Sequence, residues 1–221
     1  MTIAKRYGQL NQTKPMIKPN KLNVGDKVAT ISLSWGGAGD IPHRYEAGKK
    51  QLKDIFGLEV VETKNALKSS DWIYQNPKAR ADDLMEALED KTIKAIISNI
   101  GGEDSIRTLP FIDLDVIKNN PKIFIGFSDS TVTHFCFYKA GVTSFYGTST
   151  LVGFAENGGM HQYQIDDIKR TLFSARKVGQ IKPNINGWTS QRLEWNESQN
   201  QSIKRKLNES NGWRFLQGKG K

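Results

Sequence analysis

The sequence predicts an α/β domain in which a parallel sheet is covered by helices on both faces. Two observations carry this. Strand-like and helix-like segments alternate with short connections through residue 173. The strand segments are near-continuous apolar runs, as strands buried on both faces require. Beyond Ser174 the character changes to Gly, Pro, Asn and Trp, as in IKPNINGWTSQRLEWNESQN, without helical period. A boundary therefore falls near 175, and no internal repeat is present.

Residues 1–20 are polar, basic and aperiodic, and read as a basic tail or loosely held arm. DKVATISLS then reads as a buried strand and SWGGAGD as a turn. A helix over about 42–56 puts Ile41, Tyr45, Leu52, Ile55 and Phe56 on one face. LEVVET is the second strand. Asn76-Pro77 opens a helix through PKARADDLMEALED, because proline suits the first helical position. IKAIISN is the third strand and ends at IGGED. Short helical segments around SIRTLP and DLDVIKNN lead to the fourth strand, KIFIGF. The helix SDSTVTHFCFYKAG ends on Gly141 as its C-terminal cap. VTSFYG is the fifth strand and HQYQIDDIKRTLF the last helix. The pattern is Rossmann- or flavodoxin-like.

The chain has 221 residues, 37% of them hydrophobic, which suits one sizeable core. No run is long enough for a membrane-spanning helix, and the N-terminus lacks the apolar centre of a signal peptide. A lone cysteine, Cys136, makes a reducing cytoplasm the expected compartment and falls on the apolar face of a helix. The net charge of +9 invites a nucleic-acid reading. Lysines, however, concentrate in the first 27 and last 20 residues, and no stretch interleaves basic and aromatic residues. No specific nucleic-acid partner and no membrane partner is expected. The charge would still steer anionic substrates.

Open parallel sheets bind ligands beyond the carboxyl ends of their strands. Three loops fall there: SWGGAG, NIGGED and GFSDS. In the last, Ser128 stands at a strand–turn–helix junction that aims its hydroxyl outward and lets the Asp129 N–H face a developing oxyanion. The pair Gly101-Gly102 offers a second donor and close approach. The same SDST run offers four helix N-caps, and the elbow pattern G-x-S-x-G is half met, since Ser130 replaces the second glycine. Spacing leaves nucleophile and cap both open. SWGGAG fits neither dinucleotide nor Walker pattern and reads as a turn that leaves room for substrate. His134 reads as helix packing, and His43 and His161 as surface residues. Glu103 and Asp104 are either ligands for a substrate amine or solvated loop charges. No cluster has metal-ligand spacing, so neither a metal nor another cofactor is expected.

The block IGGEDSIRTLPFIDLDVIKNNPKIFIGFSDST resembles the LD-carboxypeptidase family of serine peptidases, family S66, as does the opening KLNVGDKVATISLSWGG. IGGED places the resemblance nearer the microcin C-resistance branch than the murein-recycling enzymes. It implies Ser128 as nucleophile and the Gly102 and Asp129 N–H groups as oxyanion hole. It implies a small peptide or peptidyl-nucleotide substrate, with Trp188 or Trp195 stacking on a base, and leaves room for a homodimer. The family's Glu and His come from a C-terminal domain, so residues 21–175 are expected to be the nucleophile domain and 176–221 a linker and the beginning of an incomplete second domain. Such a chain alone would be nearly inactive. The alternative is an inactive relic or binding module that keeps the cleft.

Overall fold

The computed structural model describes residues 15–214 and 216–218. Five strands, β1 (Lys27–Ile31), β2 (Glu59–Glu62), β3 (Ile93–Ser98), β4 (Ile123–Gly126) and β5 (Phe145–Tyr146), form one parallel sheet in the order β2-β1-β3-β4-β5. The helices are α1 (Gly37–Asp40), α2 (Pro42–Phe56), α3 (Ser70–Gln75), α4 (Pro77–Glu89), α5 (Leu114–Asn119), α6 (Thr131–Ala140) and α7 (Gln162–Leu172). This is the flavodoxin-like strand order, with the topological switch between β1 and β3.

Side chains alternate across the sheet, so each strand feeds two cores. Ala29, Ile31, Ile96 and Phe124 join Leu84 and Leu88 of α4, Ile117 of α5 and Phe137 of α6. On the other face Val28, Ala95, Ile97, Ile123 and Ile125 meet Leu52 and Phe56 of α2 and Ile168 and Leu172 of α7. Burial on both faces is why β4 carries no polar side chain and why β1 and β3 are apolar apart from Lys27, Thr30, Lys94 and Ser98.

The expected α2 and α4 start on Pro42 and Pro77, and α2 stops at Gly57 in the left-handed conformation. Gly141, at φ +80°, ends α6 as anticipated. The structure adds α3 and a π-helical turn, Thr150–Phe154, whose buried Leu151 and Phe154 resemble loop residues in sequence. Of the expected tail, residues 1–14 lie outside the described residues. Residues 15–20 are not loose: the Ile17 N–H donates to Gly141 O (2.7 Å) and Ile17 O accepts from Thr143 N–H (2.9 Å). Lys122, nearly buried, donates its ammonium to Ala87 O (2.8 Å) and to Asp90 O, satisfying carbonyls at the end of α4.

Candidate active site

Three loops meet at the carboxyl edge of the sheet, after β1, β3 and β4. Ser128 is exposed there and is the one non-glycine among the described residues with positive φ, +60°. A left-handed serine costs about 1–2 kcal/mol relative to the usual regions. Ser128 caps no helix: α6 begins at Thr131 without a side-chain cap, and the Thr131 hydroxyl donates to Ser128 O (2.6 Å). The cap reading of SDST is therefore set aside.

Two features allow the sharp turn. Gly126 passes so close to β3 that a β-carbon would lie 2.8 Å from Ser98 Cβ and 2.9 Å from Ser130 Oγ. Ser130, in place of the elbow's second glycine, is buried and donates to Ser98 Oγ (3.0 Å). The β-carbon missing at Gly126, the pattern's first glycine, leaves the room that the Ser130 side chain occupies.

The loops are pinned by one carboxylate. Asp129 Oδ2 accepts from Ser34 Oγ (2.5 Å) and from Ser105 N–H (2.8 Å), while Ser105 Oγ donates to Asp129 O (2.7 Å). Ser34 Oγ in turn accepts from the Asp104 N–H (3.2 Å). Burial raises the Asp129 pKa, but the hydrogen bonds from Ser34 and Ser105 outweigh it and hold the group below the ordinary carboxylate value. Behind this network, Arg80 is fully buried and forks between Leu33 O (2.9 Å) and Asp104 Oδ2 (2.7 Å). Asp104 is thus neither a solvated loop charge nor an unoccupied ligand for an amine. Glu103 is exposed beside it.

Gly101 is buried against the serine. A β-carbon there would lie 2.8 Å from Ser128 Cβ, 2.9 Å from Ser128 Oγ and 3.2 Å from Asp129 N, too close to fit, so only glycine lets this loop pass beside the hydroxyl. Gly102, at φ +149°, has its missing β-carbon 2.3 Å from Ser34 Oγ, which excludes a side chain. Gly101→Ala is expected to lower any turnover that depends on Ser128 about 100-fold, because the methyl would lie 2.8 Å from Ser128 Cβ and must displace that side chain by a fraction of an ångström or more. Steady-state kinetics on a correctly folded variant would test this; unchanged kcat/KM would show that the loop yields and the serine does not move.

The Ser128 N–H donates to Tyr146 Oη (3.0 Å) and so is taken. Tyr146, two thirds exposed, reaches it because parallel register sets it beside Gly126. His134 lies near, its ring centroid 5.4 Å from that of Tyr146. Its Nε2 donates to Gly126 O (2.9 Å), and in the neutral form its Nδ1 accepts from Ser144 Oγ (2.8 Å). Both nitrogens are occupied, as a packing histidine's would be, and burial lowers its pKa despite the Gly126 carbonyl.

That shift has a pH consequence. As pH falls through the ordinary 6.5, the unfolded chain binds a proton that folded His134 refuses, so stability is lost from there down to the lower folded value. Asp129 acts further down, its stabilisation present above 3.8 and lost as pH falls through its depressed pKa. Urea unfolding between about pH 7.5 and 5.5 should show wild-type protein losing stability more steeply than His134→Asn. Parallel curves would contradict this.

The other expected residues are placed elsewhere in the chain's contacts. His43 Nε2 meets Trp195 O (2.8 Å), and His161 precedes α7 with Nε2 3.9 Å from Glu156 Oε2. Trp195 packs against Ala38, Tyr45 and Leu151, with the Arg44 guanidinium 4.1 Å over its ring. One face is therefore covered, whereas Trp188 is half exposed and its Nε1 donates to Glu209 O (3.1 Å). SWGGAGD, expected as a turn, ends in the four-residue α1, Gly37–Asp40. The β-carbons missing at Gly36 and Gly39 would strike backbone of residues 67–70 at 2.5 Å, so these glycines serve chain packing. Sequence reasoning missed Ser34, Arg80, Ser105 and Tyr146. Arg80 in PKARADDL carries no sign that it faces inward. Among the described residues there is no metal-ligating cluster, and no helix long and apolar enough to cross a membrane.

Comparison with known proteins matches residues 28–147 to the LD-carboxypeptidase N-terminal domain of Peptidase_S66. A Vibrio cholerae protein with a carboxypeptidase name is 30% identical over 207 residues, 93% of this chain and 60% of that protein. The MccF-like protein of Streptococcus pneumoniae, solved in complex with AMP, superposes with TM-score 0.78 at 32% identity over 88% of this chain and 57% of its own. Microcin C7 self-immunity protein MccF, solved with aspartyl sulfamoyl adenosine, superposes with TM-score 0.75 at 29% identity over 88% and 58%. The chain spans about 60% of the length of such relatives. With the block from IGGED to GFSDST inside the matched span, the chain belongs to the LD-carboxypeptidase family, peptidase family S66.

Proposed function

We propose that Ser128 is the nucleophile of a serine carboxypeptidase or amidohydrolase, and that residues 21–175 are its nucleophile domain. The observation that carries the reading is the strained Ser128 backbone at the carboxyl edge, with its side chain against Gly101, where no β-carbon fits. In the proposed reaction Ser128 Oγ attacks an amide carbonyl, and the Gly102 and Asp129 N–H groups hold the oxyanion. The tetrahedral adduct expels the amine, which takes up the serine proton through the base, and leaves an acyl-enzyme. Water then attacks the ester and releases the carboxylate. The base and its orienting carboxylate are the His and Glu that the family resemblance places in a C-terminal domain.

For substrate we favour an amide that joins a peptidyl or aminoacyl group to a nucleotide-like moiety. IGGED and the nucleotide-like ligands of the similar solved structures support it. Trp188, with its exposed ring, suits stacking on a base better than Trp195, which Arg44 covers. Murein-type L,D-peptides are the competing class.

One observation favours a second reading, a cleft that binds without turnover. Among the described residues no side chain hydrogen-bonds Ser128 Oγ, and His134 has no free nitrogen. Full-length protein incubated with an aminoacyl sulfamoyl adenosine and with murein tetrapeptide, with products read by mass spectrometry, separates the cases. Release of the amino acid from the first supports the proposal. Cleavage of the second alone corrects the substrate, and binding without cleavage of either sinks the enzymatic reading.

A further inference from the structure

A large cleft lies at the opposite edge of the sheet from Ser128. Its volume is about 780 Å³, and it is bordered by Asp26 before β1 and by the first residues of β3, β4 and β5. Five lysines line it: Lys18 and Lys21 from the N-terminal arm, Lys91 and Lys94 around the start of β3, and Lys122 before β4.

None of the five forms an ion pair among the described residues. All 23 Asp and Glu side chains are among those residues, so none is left over to neutralise the group. The one carboxylate in the lining, Asp26, is engaged by the Asn23 N–H (2.7 Å). The ammonium groups turn instead to neutral oxygens. Lys21 donates to Asn23 Oδ1 (2.9 Å), Lys94 to Lys91 O (2.8 Å), Lys91 to Asn120 Oδ1, and Lys122 to Ala87 O and Asp90 O.

Lys18, Lys21, Lys91 and Lys94 are exposed and Lys122 is buried, and like charges gathered in a concave place raise the local potential and attract multivalent anions. Lys122 registers that field. Burial, first, pushes its pKa down to about 8; Asp90 pulls it up, and Lys91 and Lys94 push it further down. A bound anion would supply the missing counter-charge.

We propose that this cleft binds a small molecule bearing an oligophosphate chain, at a site separate from the Ser128 edge. The volume falls in the usual range for small-molecule sites. The lining has a single aromatic, Phe145, and several ammonium groups, so recognition falls on the phosphates rather than on a base. Single-stranded nucleic acid is disfavoured because it needs successive stacking platforms. The proposal does not depend on the activity assigned to Ser128.

Calorimetric titration of the full-length protein with inorganic tripolyphosphate and with ATP tests it. Tripolyphosphate is expected to bind saturably and to weaken steeply between about 50 and 200 mM salt. The double variant Lys91→Gln/Lys94→Gln should weaken it about tenfold or more, while Lys139→Gln on α6 should not. Equal affinity for ATP would show that the phosphates alone are read. Tighter ATP binding that the double variant also weakens would add a contribution from the nucleoside. Lack of saturable tripolyphosphate binding, or affinity unchanged in the double variant, would overturn the proposal. ATP binding that survives the double variant belongs elsewhere and counts against it equally.

Discussion

Ser128→Ala in the full-length protein is expected to reduce turnover by about 10⁴-fold or more, since loss of the proposed nucleophile leaves only oxyanion stabilisation and binding. Stability should change little. The Ser128 hydroxyl makes no hydrogen bond among the described residues, and alanine meets the same left-handed strain at φ +60°. Ser128→Gly separates the two effects. It should be equally inactive yet more stable than Ser128→Ala, by up to about 1 kcal/mol, because glycine accepts positive φ without strain but loses more entropy on folding. Urea unfolding of the two variants beside wild type, with turnover on the same samples, reads both. Retained turnover in Ser128→Ala would sink the nucleophile assignment. A glycine variant no more stable than the alanine variant would show that the elbow holds no strain.

The largest effect on stability is expected at Arg80. Its guanidinium is fully buried and bridges Leu33 O after β1 to the Asp104 carboxylate after β3. Arg80→Met keeps most of the volume and leaves Asp104, whose side chain is 17% exposed, without its buried partner. Breaking such a pair from one side costs about 3–5 kcal/mol, since the remaining charge stays desolvated. Arg80→Lys should recover little, because a single ammonium cannot span both acceptors of the fork. Asp104→Asn on the Arg80→Met background should restore part of the loss by removing a charge left with only the exposed Arg107, 3.4 Å away. A loss below about 1 kcal/mol for Arg80→Met would mean that water replaces the guanidinium. It would also mean that the Gly101-Gly102 loop does not depend on this tie.

Both predictions concern one junction, and its parts were unequally legible. GFSDS marked Ser128 by residue type and position after a strand. Whether it was nucleophile or cap could not be read, because serine is favoured for both. The positive φ and the start of α6 at Thr131 removed the cap reading. His134 was read as packing and is found with both ring nitrogens engaged. Asp129 was expected for its N–H. Its carboxylate, which ties Ser34 and Ser105 together, joins residues far apart in sequence that no local pattern connects.

Strands and helices were legible because burial on both faces leaves a periodic mark in the chain itself. The α2 and α4 proline starts and the Gly57 and Gly141 stops are equally local, being matters of backbone dihedral preference. The fold class and the order of site-bearing loops thus followed from the sequence alone. Strand order, the inward turn of Arg80, the reach of Tyr146 to Ser128 and the gathering of Lys18, Lys21, Lys91, Lys94 and Lys122 were decided only by tertiary structure. Each depends on contacts between segments far apart in the chain, and one-dimensional periodicity does not encode which segments become neighbours.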